Sequence, residues 1–228
     1  MDRRTVFLAA GLAPLLAACG GGKHHDHPAT TAPVGTPAPP GNGANLVMII
    51  RHAEKPTGSG APYGLTADGD QDPESLTVRG WTRAGALTGL FDPRTVDATP
   101  AVLRSGLARP TTIFAADPGS HGSKRPLETI TPLAADLNLQ PDVRFKKDQA
   151  KELVAALASA ADPVLICWEH ENIGDILAAM GTITPAPPKT WPGDRFDIVY
   201  VLRRLSTGWS FTQVPQLLLA GDSPQPIS

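Results

Sequence analysis

Two cysteines cannot build a disulfide framework, and no apolar run reaches the roughly 18 residues that a membrane-spanning helix needs. Aromatic residues make up only 5% of the chain, and no heptad pattern runs through it. Charge of either sign is also scarce in excess: 20 basic residues stand against 22 acidic ones, for a formal net charge of −2. Nothing in a balance of that kind points to a polyanion such as nucleic acid as the main partner, so any anion site must be local. There is no Gly-rich phosphate loop ending in Gly-Lys-Ser/Thr and no paired-carboxylate metal site. What the 228 residues do have is 24 Pro and 22 Gly, and these are unevenly spread.

The first 18 residues read as an export signal. Arg3 and Arg4 form a basic start, and Val6 to Leu16 form an apolar core too short to span a bilayer. Leu16-Ala17-Ala18-Cys19, followed by Gly20-Gly21-Gly22, resembles the lipobox of bacterial lipoproteins, in which the cysteine becomes the lipidated first residue. The resemblance implies an exported chain anchored by lipid at Cys19 to the cell envelope, on its periplasmic or outer-surface side, with a mature charge of −3. Arg3-Arg4-Thr5-Val6-Phe7 also looks like a weak twin-arginine signal; ordinary Sec export is the simpler expectation.

Residues 19–44 read as a disordered tether, since 11 of the 26 are Pro or Gly and almost nothing is apolar. As a coil it would reach roughly 25–30 Å. Its His24-His25-Asp26-His27 tract has the donors for a transition metal, though a solvated linker is the plainer reading. With Cys19 used for lipid, Cys167 is the remaining thiol; in Val164-Leu165-Ile166-Cys167-Trp168 it reads as inert packing.

From residue 45 onward strand and helix patterns alternate. Asn45 to Ile50 and Pro163 to Trp168 are continuous apolar runs, as expected of strands buried on both faces, and a further strand is expected near Thr111 to Ala116. Helices are expected over Thr77 to Leu90, Leu127 to Leu137, Gln149 to Ala160 and Ile173 to Met180. Phe196 to Leu202 and Trp209 to Val214, joined through Ser206-Thr207-Gly208, read as a hairpin. The order predicts an α/β fold: a three-layer sandwich with a mostly parallel central sheet. Ligands in such sheets sit beyond the carboxyl ends of strands, which directs attention to Arg51-His52-Ala53-Glu54 and Glu169-His170-Glu171-Asn172.

Two more segments carry chemistry-bearing residues at helix starts: Leu76-Thr77-Val78-Arg79-Gly80 and Arg125-Pro126-Leu127-Glu128-Thr129. With the strand-end pairs, this order resembles the histidine phosphatase superfamily, of phosphoglycerate mutase-like fold and Arg-His motif, over most of residues 45–180. The resemblance implies that residues 45–228 form a phosphatase domain acting on a small phosphomonoester without a metal or other cofactor. It makes His52 the nucleophile, via a phosphohistidine, and His170 the second catalytic histidine, with Arg51 and Arg125 binding the substrate's phosphate. The chemistry fits those residue types: two guanidiniums stay charged and bind phosphoryl oxygens bidentately, and a nucleophilic imidazole needs one ring nitrogen unprotonated.

The proton donor to the leaving oxygen is not fixed by the sequence. Glu171, directly after His170, is the first candidate, and Asp148 the second, though Asp148 also reads as an N-cap for the helix after it. Glu54 and Glu169 flank the pair. Ala53 stands where the family has Gly. The Gly- and Pro-rich loop from Lys55 to Ser75 is expected to border the pocket; Ser120, His121, Ser123 and Lys124 read equally as phosphate contacts or turn residues, and Lys146-Lys147 as a solvated pair. Trp168 reads as either pocket wall or core. A second reading is a phosphate- or phospho-ligand-binding lipoprotein that kept the anion pocket and lost turnover. Phosphomutase activity is a minor third, at odds with an envelope location.

Overall fold

The computed structural model describes residues 43–228. The export signal, Cys19 and the His-rich tract therefore lie outside the described residues. Ala44, which composition assigns to the tether, is buried and donates its N–H to the Leu157 carbonyl at 2.8 Å.

Six strands form one sheet: β1 (Leu46–Arg51), β2 (Thr112–Ala115), β3 (Val164–Trp168), β4 (Ile183–Thr184), β5 (Ile198–Arg204) and β6 (Trp209–Pro215), in the order β2-β3-β1-β5-β6-β4. The pairings β2/β3, β3/β1 and β4/β6 are parallel; β1/β5 and β5/β6 are antiparallel. Period-two alternation splits the strand residues between two cores. Val47, Ile49, Ile166, Trp168 and Tyr200 pack with Leu153 of α3 (Ala150–Ala156) and Ile173 and Ile176 of α4 (His170–Ala179). Met48, Ile50, Leu165, Cys167 and Val199 pack with Leu87 and Leu90 of α1 (Val78–Phe91) and Ile130 and Leu133 of α2 (Arg125–Asp136). That two-sided burial is why the strands read as unbroken apolar runs, and it makes the expected three-layer α/β sandwich. Among the described residues no helix is long and apolar enough to cross a membrane.

The helix starts differ from expectation where chemistry is concentrated. The helix α4 begins at His170, not Ile173, so His170 opens a helix rather than ending a strand. The helix α2 begins at Arg125, with Pro126 in its first turn where its missing N–H costs nothing. Gln149, not Asp148, precedes α3, and no side chain caps that helix, so the capping role expected of Asp148 is not realised. The short β4 had no sequence signal.

The antiparallel placement of β5 beside β1 positions the site. Ile50 pairs with Val199, so the segment entering β5 arrives where β1 ends. On the other side β3 runs parallel, with Arg51 opposite Trp168, so residues after both strands emerge together.

The helix α1 packs close against the turn that follows β1. Thr77 caps it, its Oγ1 accepting from the Gly80 N–H at 3.2 Å. A Cβ at Gly80 would lie 2.5 Å from the Glu54 carbonyl oxygen, whereas one at Gly85, on the same helix, meets nothing within 4 Å. The expected outcome is opposite signs: Gly80→Ala destabilises by about 1–3 kcal/mol through overpacking, and Gly85→Ala stabilises by about 1 kcal/mol through helix propensity. Urea unfolding of the two variants checks this.

Candidate functional site

The turn after β1 is fastened to three elements. The His52 N–H donates to Trp168 O of β3 at 3.0 Å, the Ala53 N–H to Thr129 Oγ1 of α2 at 2.8 Å, and Glu54 O accepts from the Thr77 N–H at 3.0 Å. Thr129 is itself held, its hydroxyl donating to Arg125 O at 2.7 Å. The Leu-Thr-x-x-Gly and Arg-x-x-x-Thr segments therefore hold the backbone around His52.

His52 is 2% exposed, and its Nδ1 lies 2.7 Å from Ala53 O. A carbonyl only accepts, so Nδ1 carries the proton and Nε2 keeps its lone pair. Burial drives the ring's pKa down to about 3, against the pull of that carbonyl and with the help of the Arg51 and Arg125 charges. The imidazole is neutral at any ordinary pH.

Arg51, 1% exposed, is oriented by the loop before β5: its Nη1 donates to Pro192 O, Gly193 O and Arg195 O at 3.2, 2.8 and 3.0 Å. Phe196 lies 3.9 Å from its guanidinium carbon, measured to the ring centroid, and its ring centroid is 6.1 Å from that of His52. The other edge of the guanidinium, Nε and Nη2, is buried with no partner among the described residues. That is the edge suited to bidentate oxyanion binding. Burial lowers the Arg51 pKa to about 10 while Asp194, Glu171 and Glu54 hold it up, so it remains a cation.

Arg125 donates through Nη1 to Ser123 Oγ at 3.3 Å and through Nη2 to Glu74 at 3.2 Å and to the Pro73 carbonyl; its Nε is also buried and unmatched. The charge of Arg125 acts on both Arg51 and His52. The loop ending at Ser75 thus borders Arg125, as expected, and it is fixed there by a Lys124–Asp72 pair at 2.7 Å and by Glu128, which accepts from Ser75 Oγ and Leu76 N–H.

His170 opens α4 beside this group. Its pKa is lowered, first by burial and then by the Arg51 charge, with Glu171 opposing. Glu171 is exposed. The other acid candidates fare differently. Glu54 is committed to Arg83 at 2.8 Å and Arg79 at 3.1 Å. The buried Arg83 also pairs with Asp222 at 2.7 Å and donates to Gln216, tying the segment after β6 to this wall. Glu169 pairs with Lys147 at 3.1 Å. Asp148 is an exposed residue of the turn before α3. Ser120 and His121 are exposed, and Lys124 is spent on Asp72, so of that group only Ser123 contacts Arg125.

Trp168 is fully buried in the core and donates its indole N–H to Lys147 O at 3.0 Å, which favours packing over a pocket wall. Cys167 is buried, and burial raises its pKa, as an inert thiol requires. Sequence reasoning missed Asp194, Phe196 and the carbonyls of the loop before β5. Its Trp191-Pro192-Gly193-Asp194 reads as a turn and becomes part of the site only through the β1/β5 register. Among the described residues no cluster of three or more His, Cys, Asp or Glu is arranged to hold a metal ion.

No protein-family model matches the chain, and no curated protein does. Solved structures with a similar chain path include a protein histidine phosphatase SixA complexed with tungstate, at 13% identity and a TM-score of 0.48, covering 75% of this chain and 97% of that one. Another is a putative phosphohistidine phosphatase SixA from Agrobacterium tumefaciens, at 17% identity, TM-score 0.46, and 74% and 96% coverage. A mycobacterial glucosyl-3-phosphoglycerate phosphatase complexed with VO3 is similar at 15% identity, TM-score 0.44, and 74% and 97% coverage. What this chain can do is decided by its own side chains.

The buried neutral imidazole has a consequence for stability. Its folded-state pKa of about 3 lies below the ordinary value of 6.5, so between these the unfolded chain binds the extra proton and stability falls as pH falls. Above 6.5 the effect vanishes. The stability of His52→Gln should therefore be less steep in pH from 6.5 down to about 3, by up to about 1.4 kcal/mol per pH unit. Chemical denaturation across that range reads it, and parallel slopes for the two proteins contradict it.

Proposed function

We propose that the chain is a phosphatase that hydrolyses a phosphomonoester through a phosphohistidine on His52, without a metal. The observation that carries this is the Nδ1–H bond from His52 to Ala53 O at 2.7 Å in a ring 2% exposed, which leaves the Nε2 lone pair unprotonated within the influence of two guanidiniums that have unmatched N–H groups.

The substrate's phosphoryl oxygens take the Nε–Nη2 edge of Arg51 and the Nε of Arg125. His170 donates to a third oxygen as charge redistributes toward the transition state. The Nε2 lone pair forms the N–P bond as the P–O bond to the leaving group breaks, and Glu171 gives that oxygen its proton. Water then attacks phosphorus, the P–N bond breaks, and the Glu171 carboxylate takes the proton from water. Phosphate departs and His52 keeps its Nδ1 proton throughout. The bond from Nδ1 to a carbonyl fixes the nucleophilic nitrogen without any need to deprotonate the ring. Asp194 is the competing acid, since it and Glu171 are the two carboxylates whose charges bear most on Arg51. We place the enzyme in the bacterial cell envelope, exported and lipid-anchored at Cys19, where its substrate would be a small phosphorylated compound.

The full chain should hydrolyse 4-nitrophenyl phosphate with no added metal, and vanadate should inhibit it. His52→Ala should abolish turnover, and an alkaline detergent quench with labelled substrate should trap an alkali-stable phosphoenzyme that loses its label in acid. Full activity in that variant sinks the mechanism. Binding of phosphate without turnover across a phosphomonoester panel supports the ligand-binding reading instead.

The acid is assigned by leaving group. Glu171→Gln should slow an alkyl phosphate about 100-fold or more and 4-nitrophenyl phosphate far less, because only the alkoxide needs the proton. The same pattern from Asp194→Asn would move the role to Asp194.

A further inference from the structure

A cavity of about 310 Å³ lies beside His170, between α4, Tyr200 of β5 and the segment 188–191. Ile173, Leu177 and Trp191 give it apolar flanks, and Lys189 lies on its lining. Tyr200 is 2% exposed, and its hydroxyl is buried with no partner among the described residues. Burial pushes that hydroxyl up to about 12, so it is a neutral donor. A buried hydroxyl left unmatched is unfavourable, and a ligand atom in this cavity would match it.

The cavity and the anion pocket share a wall. Trp191 Nε1 donates to Arg195 O at 2.8 Å, the same carbonyl that accepts from Arg51 Nη1 at 3.0 Å. A Cβ at Gly193, in the same segment, would lie 3.9 Å from His170 Nε2. His170 and Glu171, the groups assigned above to the phosphoryl and leaving oxygens, both line the cavity. Its volume is about ten times the roughly 30 Å³ that one water occupies in the liquid and reaches the lower end of small-molecule pockets, which suits a ring. Trp191 and Tyr200, with ring centroids 4.5 Å apart, make a rigid aromatic wall.

We propose that this cavity is the leaving-group subsite: it takes a ring-sized organic group, apolar on its flanks, with one hydrogen-bond acceptor that meets the Tyr200 hydroxyl. The proposal rests on the phosphomonoester reading and names its substrate class, a phosphate ester of a cyclic alcohol or phenol rather than of a small chain. Gly174 gives access to a test. It lines the cavity from within α4, and a Cβ there meets nothing within 4 Å, so Gly174→Leu has an open start from which to occupy the space, and it favours the helix.

Calorimetry on the full chain would compare phenylphosphonate with methylphosphonate, neither of which can be hydrolysed. The wild type should prefer the phenyl compound by about tenfold or more, and Gly174→Leu should bring the ratio near one, in line with the cost of excluding an apolar group from its pocket. Tyr200→Phe should keep the phenyl preference but erase any further gain from 4-acetylphenylphosphonate, whose carbonyl accepts a hydrogen bond. Equal binding of phenyl and methyl compounds, a preference that survives Gly174→Leu, or no binding of either overturns the proposal. Because no turnover is read, an enzyme inactive on every phosphomonoester would count against the phosphatase reading and leave this result standing.

Discussion

The site depends on one constraint: the backbone that continues past β1 must be hydrogen-bonded although the sheet pairs only its first residue, His52. Buried peptide groups without partners are strongly disfavoured. Here β3 takes the His52 N–H, a threonine hydroxyl on α2 takes the Ala53 N–H, and α1 gives its Thr77 N–H to the Glu54 carbonyl. The imidazole of His52 closes the set by donating to the Ala53 carbonyl. The same bonds that satisfy the turn fix the tautomer of the ring. Structure and reactivity are therefore one requirement in this turn, and the elements around it pack as they must to supply those partners.

That constraint explains why particular residue types sit in the motifs. Thr129 provides an acceptor at a distance where Val, of the same shape, would provide none. Gly80 lets α1 approach the Glu54 carbonyl more closely than any Cβ allows. Arg51 ends a strand yet is almost wholly buried, and it is tolerable there because three carbonyls and an aromatic face take one side of its charge. Its other side, Nε and Nη2, has no partner among the described residues. Arg125 is balanced differently, with the Glu74 carboxylate on one nitrogen, whereas no carboxylate pairs with Arg51.

The parallel half of the fold was legible because burial on two faces writes continuous apolar runs such as Leu46 to Ile50 and Val164 to Trp168, and because helix starts carry caps and prolines. His52, Arg51, Arg125 and His170 could be picked out because they stand at the ends of those elements in a particular order. The antiparallel half was less legible. The sequence from Phe196 to Val214 shows a hairpin but not that its first strand lies beside β1. That pairing brings Asp194, Phe196 and the 192–195 carbonyls to Arg51, and it follows from sheet register, a long-range property that no local pattern encodes. Asp148 illustrates the converse: a good local signal for a cap, overridden when α3 started one residue later without one. His170 was expected at a strand's end and opens a helix instead, since periodicity alone did not mark Glu169 as the residue before the first turn.

The tie between Arg83, Glu54 and Asp222 joins a residue made early in synthesis to one made late. A growing chain that has reached the first turn of α4 already holds every residue proposed for chemistry except those of the loop before β5. It still lacks β5 and the carboxylate that shares Arg83 with Glu54. Until residue 222 joins, a buried guanidinium is only half neutralised and the wall behind the His52 turn is unfinished. The wall behind the His52 turn is thus completed by a segment that follows the last strand in the chain, so the two ends of the fold meet at a single guanidinium.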